Sequence, residues 1–326
     1  MNLLSRFFSG LFSASLPDPD ILAGLQRVAA VVDKTLAVAP GFATRLAEPV
    51  AHARTFCARM VDSLPSAIMI DRQSFASDPL VHALFASADD IGAVLAASGQ
   101  VREYLGESRS WQENSFIALM AARRVDKNVF GVALQGEIVT TGVAQTLLQF
   151  SNQTIILPAD NPDSARDALQ EAAFDSLLLT FAGHLARARE VYKSLRTERD
   201  MERARQRGRS VGAAFPERRI AALDERLQQQ FRSLQPEAII AELADFLMQP
   251  EQALSLDPVH LWVTRRGVIQ EAAGHDADAA PILFMELKSR DRRRHLVLPV
   301  RVRCDEARGA LERARERAER EYMLLL

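Results

Sequence analysis

Two cysteines, Cys57 and Cys304, are all the thiol this chain carries, and they lie far apart in sequence. That excludes a disulfide-stapled scaffold and fits a reducing compartment, with Cys57 on the apolar face of a helix in FCARM. No apolar run reaches the roughly 18 residues a membrane-spanning helix needs. Charge of one sign is also missing: 42 acidic against 40 basic residues leave a net charge of -2, so the overall balance selects neither a polyanionic partner nor an acidic solubilising tail. Lysine is scarce. Only Lys34, Lys127, Lys193 and Lys288 occur, so arginine supplies nearly all positive charge and a run of arginines carries less information than usual.

The local catalytic signatures are absent as well: there is no GxGxxG, no phosphate loop ending GK[ST], no HExxH, no GxSxG and no CxxC. This weighs against an enzyme, although a site assembled from distant residues leaves no such trace. The six histidines are scattered, and the single metal-like cluster, in Gly274-His275-Asp276-Ala277-Asp278, reads as a solvated loop between strands. No cofactor and no metal is expected. Asp89-Asp90 reads as first-turn acidity that complements a helix dipole rather than as a catalytic pair.

What is present is pattern. A hydrophobic fraction of 48% over 326 residues can fill more than one core. Asp18-Pro19 is an N-cap followed by a first-turn proline, and Ile21, Leu25, Val28, Val32 and Leu36 then recur on one helical face. Leu46, Val50, Cys57 and Met60 form a second such face, with Pro49 as a kink or late start. Asp78-Pro79 and the Ser87-to-Asp90 spacing mark two further helix starts. From Trp111 the pattern turns to β, with four short strands divided by Asp126-Lys127-Asn128, Gly136 and Asn152. The longest helix follows, over about 163–207, with Phe174, Leu178, Phe181, Leu185, Ala188, Tyr192 and Leu195 in heptad spacing. Ile220, Leu223, Leu227, Phe231 and Leu234 supply an apolar face that could close it as a hairpin. Strands return in HLWVT, GVIQEA, PILFMELKS and RHLVLPVRV before a last helix.

The expected class is therefore α+β and predominantly helical: two antiparallel β-meanders separated by a long, coiled-coil-like helical hairpin, with an amphipathic helix in front. The corresponding divisions are an N-terminal helix at 1–16, a helical domain at 17–110, a first meander at 111–160, the hairpin at 161–250, and a second meander with the closing helix at 251–326.

Three features bear on function. In MNLLSRFFSGLFSAS, at about 100° per residue, Leu3, Leu4, Phe7, Phe8, Leu11 and Phe12 share one arc while serines and Arg6 take the other. At about 1.5 Å per residue such a helix is roughly 20 Å long, too short for a bilayer core of about 30 Å. Arg6 and Gly10 break the apolar run a signal peptide needs, so the helix is expected either in a membrane interface or docked on protein, with lipid slightly favoured. Arginines gather at the hairpin tip, including Arg203, Arg205, Arg207 and Arg209, and in the turn Arg292-Arg293-Arg294, where they offer anion contacts. Interleaved acids and the lack of aromatics among them make nucleic acid a secondary expectation. The heptad seam over 174–195 could instead join copies of the chain, with the intrachain hairpin preferred. Together these features favour a non-enzymatic cytoplasmic scaffold or adaptor, held peripherally to a membrane or a protein partner through residues 1–16. A nucleic-acid-associated regulator and an enzyme with a dispersed site are the alternatives.

Overall fold

The computed structural model describes residues 18–107, 114–135, 138–207, 214–271, 278–289 and 294–324. The N-terminal segment 1–16 lies outside them, as do the loop residues His275, Asp276 and Ala277. The protein is α+β, and the chain divides into two compact units, each made from two separated segments: Met1–Ala58 with Glu171–Ala253, and Arg59–Gln170 with Leu254–Leu326.

The first unit is helical. Helix α1, Pro19–Val31, starts as expected, with the Asp18 carboxylate accepting from the Asp20 amide at 3.1 Å and Pro19 in the first turn. Helix α2, Phe42–Asp62, runs through Pro49 without a break and turns Leu46, Val50, Ala53 and Cys57 inward. Three more helices complete the unit: the later part of α7, Pro162–Arg207, with α8, Ala214–Ser233, and α9, Pro236–Leu247. Phe174, Leu177, Leu178, Phe181 and Leu185 of α7 are buried, and Phe181 meets Phe246 of α9 at 5.5 Å between ring centroids. Charged pairs fix the rotation of α7: Arg27 binds Asp175 through two nitrogens, Arg54 reaches Glu171 at 2.5 Å, and Arg189 pairs with Asp33. Partly exposed pairs of this kind, of which Arg27–Asp175 is bidentate, add orientation more than stability.

The second unit contains the sheet. In chain order its elements are β1 (Ile68–Met69), α3 (Arg72–Ser77), α4 (Pro79–Leu84), α5 (Ala88–Ala97), α6 (Gly99–Gly106), β2 (Ser115–Gln135) and β3 (Ile138–Ala159). After the helical segment come β4 (Leu254–Thr264), β5 (Val268–Gln270), β6 (Ala279–Ser289), β7 (Arg294–Arg303) and α10 (Cys304–Leu324). The strand order is β1-β7-β2-β3-β5-β4-β6, and β6 also pairs with β7, so six of the seven strands close into a ring. All pairs are antiparallel except β1 with β7. Phe116, Met120, Phe284, Leu298 and Val300 share a core with Val81 and Leu84 of α4, Leu95 of α5 and Ala310 of α10.

Two expectations change here. The strand-rich segments are not separate meanders, because β2 pairs with β7 over nine successive positions and joins them in one sheet. Nor does the first segment hold four short strands: it holds two, of 21 and 22 residues. Asp126-Lys127-Asn128 does not interrupt β2, since from Asp126 to Gln145 the two strands pair only with each other among the described residues. A ribbon with solvent on both faces accepts polar residues at every position. Asn152, expected as a turn, is absorbed instead as a bulge at φ 54°, with the register slipping between Ala121 and Arg123.

One contact in the helical unit is tight enough to test. A Cβ on Gly24 of α1 would lie 2.5 Å from Cγ1 of Val50, which is fully buried and, being β-branched, has little rotamer freedom. Gly24→Ala gains helix propensity of up to about 1 kcal/mol but overpacks a core position at a cost of about 1–3 kcal/mol. A net loss of about 1–2 kcal/mol is expected as a lower urea midpoint; an unchanged or higher midpoint would mean that α1 and α2 separate freely.

Candidate functional site

The hairpin arginines are already engaged. Arg203 donates to Asp224 of α8 at 2.8 Å, Arg205 to Glu202 at 3.2 Å, and Arg219 to Glu198 at 3.0 Å. Arg199 is bound by Asp200 and Asp224, and hydrogen bonding to Asp200 is the main reason its pKa lies above the ordinary arginine value. These groups form a ladder of opposite charges between α7 and α8. Beneath it Leu195, Leu223 and Leu227 are buried against Tyr192, while Phe231 stays 53% exposed at the edge. The side chain of Arg207, together with Arg209, Arg292 and Arg293, lies outside the described residues. Arg294 is exposed at the start of β7, opposite Lys288. Leu3, Leu4, Phe7, Phe8, Leu11 and Phe12 also fall outside. Of the sequence-selected residues, then, only Arg203, Arg205 and Arg294 have described side chains, the first two in the helical unit and the third in the sheet unit.

Other candidates resolve into structural roles. Asp90 accepts from the Ser87 amide at 2.8 Å as part of the capping box of α5, and Asp89 pairs with Arg72. Among the described residues no group of three or more His, Cys, Asp or Glu side chains is arranged to hold a metal ion, and no helix is long and apolar enough to cross a membrane. Cys57 and Cys304 are both buried thiols, and they form no disulfide.

A site that sequence reasoning missed lies wholly in the second unit, where the ring is thinnest. β5 joins β3 through Thr146–Ile269 and Leu147–Val268, and joins β4 through Trp262–Gln270 and Val263–Ile269. Next to this seam opens a cleft of about 910 Å³, between the end of β4, the middle of β3 and helix α4. Leu84, Phe85, Leu148 and Val263 are buried residues at its base.

Arg265 and Arg266 stand on its rim, in the turn between β4 and β5, and the backbone there is held closely. The Gly267 amide donates to Thr264 O at 2.8 Å, the Val268 amide to Thr264 Oγ1 at 3.1 Å, and the Leu148 amide to Gly267 O at 2.8 Å. Gly267 has φ 83°, and a Cβ there would lie 3.1 Å from Leu148 O, so the turn needs glycine both for its conformation and for its close approach to β3. The opposite wall carries Asp78 and His82. Asp78 is occupied as the N-cap of α4, accepting from the Leu80 and Val81 amides at 2.8 and 3.2 Å. His82 Nδ1 lies 3.3 Å from Phe75 O; a carbonyl only accepts, so Nδ1 carries the hydrogen of that bond. Gln153 Nε2 donates to Leu84 O at 2.8 Å and ties the end of α4 to β3. This concave arrangement suits binding of a partly apolar ligand with a polar end. The signal in sequence is Arg265-Arg266-Gly267 joining HLWVT to GVIQEA, a pattern that marks a strand connection and nothing more.

This α+β chain, with a helical unit and a ring-closed sheet, is matched by no protein-family profile, no curated protein and no solved structure.

The thiols give a direct check of the described burial. Desolvation pushes the Cys57 thiol up to about 12, so it stays neutral and unreactive in the folded protein. A thiol-reactive disulfide reagent at about pH 8, close to the ordinary thiol pKa of about 8.5, should label the native protein very slowly and both cysteines promptly in denaturant. Fast labelling of the native protein would place Cys57 or Cys304 at a surface.

Proposed function

We propose that the protein is a non-enzymatic adaptor that presents extended paired elements to other macromolecules and is held peripherally to a membrane by residues 1–16. The observation that supports it most is the β2–β3 ribbon. A two-stranded ribbon has no core of its own, yet this one carries Phe130 at 83% and Val132 at 57% exposure. Gly142, at φ 75°, forms a bulge opposite Gly131 and Val132 that changes the twist there. Exposed aromatic and branched residues on an open-edged ribbon suit recognition of a partner more than they suit stability.

The α7–α8 hairpin belongs to the same reading as a second, coiled-coil-like arm, closed within the chain by Leu195, Leu223 and Leu227. Association of copies through residues 174–195 would then fall to the exposed Leu179 and Val191 of α7. Nucleic-acid binding at the tip is the weaker reading, because an approaching phosphate would have to displace the carboxylates that hold Arg203, Arg205 and Arg219. For the membrane, the segregated face of Leu3, Leu4, Phe7, Phe8, Leu11 and Phe12 suits shallow insertion driven by apolar burial rather than by headgroup charge.

Two measurements test this reading. Phe130→Ser should change the unfolding free energy by no more than about 0.5 kcal/mol, as at other exposed positions; a loss of several kcal/mol would show that Phe130 serves the fold instead. In co-sedimentation with dioleoylphosphatidylcholine vesicles, the full chain should pellet and a chain beginning at Leu16 should not. Equal behaviour of the two, pelleted or free, would remove the membrane part of the proposal.

A further inference from the structure

Many arginines of this protein are met by carboxylates: Arg27 by Asp175, Arg54 by Glu171, Arg203 by Asp224, Arg124 by Asp126 and Glu286, and Arg303 by Asp305. Arg265 and Arg266 are exposed and form no ion pair with any described residue. They are also the two guanidinium groups that border the 910 Å³ cleft. Of the two carboxylates in its lining, Asp78 is turned to the amides of Leu80 and Val81, and neither it nor Asp278 pairs with Arg265 or Arg266 among the described residues.

Three properties define what would fit. Two neighbouring guanidinium forks without a carboxylate partner among the described residues call for an anion, since each matches the paired oxygens of a carboxylate or phosphate. The volume, near the upper end of the range for small-molecule sites, far exceeds a bare inorganic ion. The base contains Leu148, Phe150 and Val263, which a bare anion would leave uncovered. The three hydrogen bonds that fix the Thr264–Gly267 turn hold the arginine backbone in place before any ligand arrives, so less ordering is required on binding.

We propose that this cleft binds a small amphiphilic anion, a carboxylate or phosphate head on an aliphatic body, with Arg265 and Arg266 taking the head and the base of the cleft taking the body. The site is separate from the ribbon, and its test is independent of the adaptor reading.

Isothermal titration calorimetry on the full chain, with octanoate, octyl phosphate, 1-octanol, acetate and inorganic phosphate, tests it. Octanoate or octyl phosphate should saturate one site, and whichever binds more tightly identifies the preferred head. Acetate and inorganic phosphate should bind at least about tenfold more weakly. R265Q/R266Q should weaken the amphiphilic anions at least about tenfold while leaving octanol unchanged, and R315Q/R320Q, on exposed arginines of α10, should change nothing. A86W, at an exposed wall position, should weaken octanol and the anions alike. Circular dichroism of each variant confirms its fold. Absence of saturable binding by both amphiphilic anions, equal binding by wild type and R265Q/R266Q, or small anions that bind as tightly as their octyl counterparts would each overturn the proposal.

Discussion

The second unit depends on one long-range ladder, the pairing of Ser115–Arg123 in β2 with His295–Arg303 in β7. β7 is the hub. Its other edge carries β6 near Val297 and β1 near Val300, so the ring, the parallel β1 and the helix α10 that leaves Arg303 all rely on its position. Bringing together residues so distant in sequence costs loop-closure entropy, but that cost grows only logarithmically with length. Much of the intervening chain, Glu171–Ala253, belongs to the other compact unit and so has its own core to fold around.

Helix starts were legible because they are local chemistry. Asp18-Pro19, Asp78-Pro79 and Ser87 with Asp90 all cap helices as their side chains allow. The apolar stripes were legible for the same reason, with Leu25, Val28, Leu46, Val50, Phe174 and Leu185 all buried. Phe231 departs from its stripe: it lies half exposed at the margin of the hairpin, its ring centroid 6.4 Å from that of Tyr192 and tilted to it by 38°. Strand boundaries failed where the rule behind them failed, since polar residues interrupt a strand only if one of its faces must be dry. The nested order of segments was not legible at all, because periodicity reports which face is buried and not what buries it.

Arginine content misled for a related reason. A cluster in sequence is a cluster of like charge only until the fold supplies its partners, and on α7 those partners come from the same helix and from α8. Arg265-Arg266, which has no carboxylate partner among the described residues, is a mere dipeptide in a turn, too short to register as a basic patch. Burial makes the same distinction in the opposite sense at Arg124, whose side chain is 10% exposed beside Glu286 at 3%. There the guanidinium is bound by Asp126 at 2.8 Å and lies 5.9 Å from the Phe284 ring centroid, so its charge is consumed in making the core specific.

The cleft and the ribbon follow from a single feature of the sheet. β3 is 22 residues long, whereas β5, its neighbour on the side away from β2, is three. On one side of that short contact β3 runs on with β2 as the free ribbon; on the other it parts from β4, and α4 with its Gln153 tether stands in the gap. A longer β5 would extend the ladder along both stretches, filling the cleft and giving the base of the ribbon a third strand. The same Gly267 that stops β5 from starting earlier, by its φ of 83° and its hydrogen bond to Leu148, also holds the two arginines at the opening. Truncation of one strand thus creates both an exposed arm and a concave site, and in each the backbone is fixed by bonds that do not involve the exposed side chains.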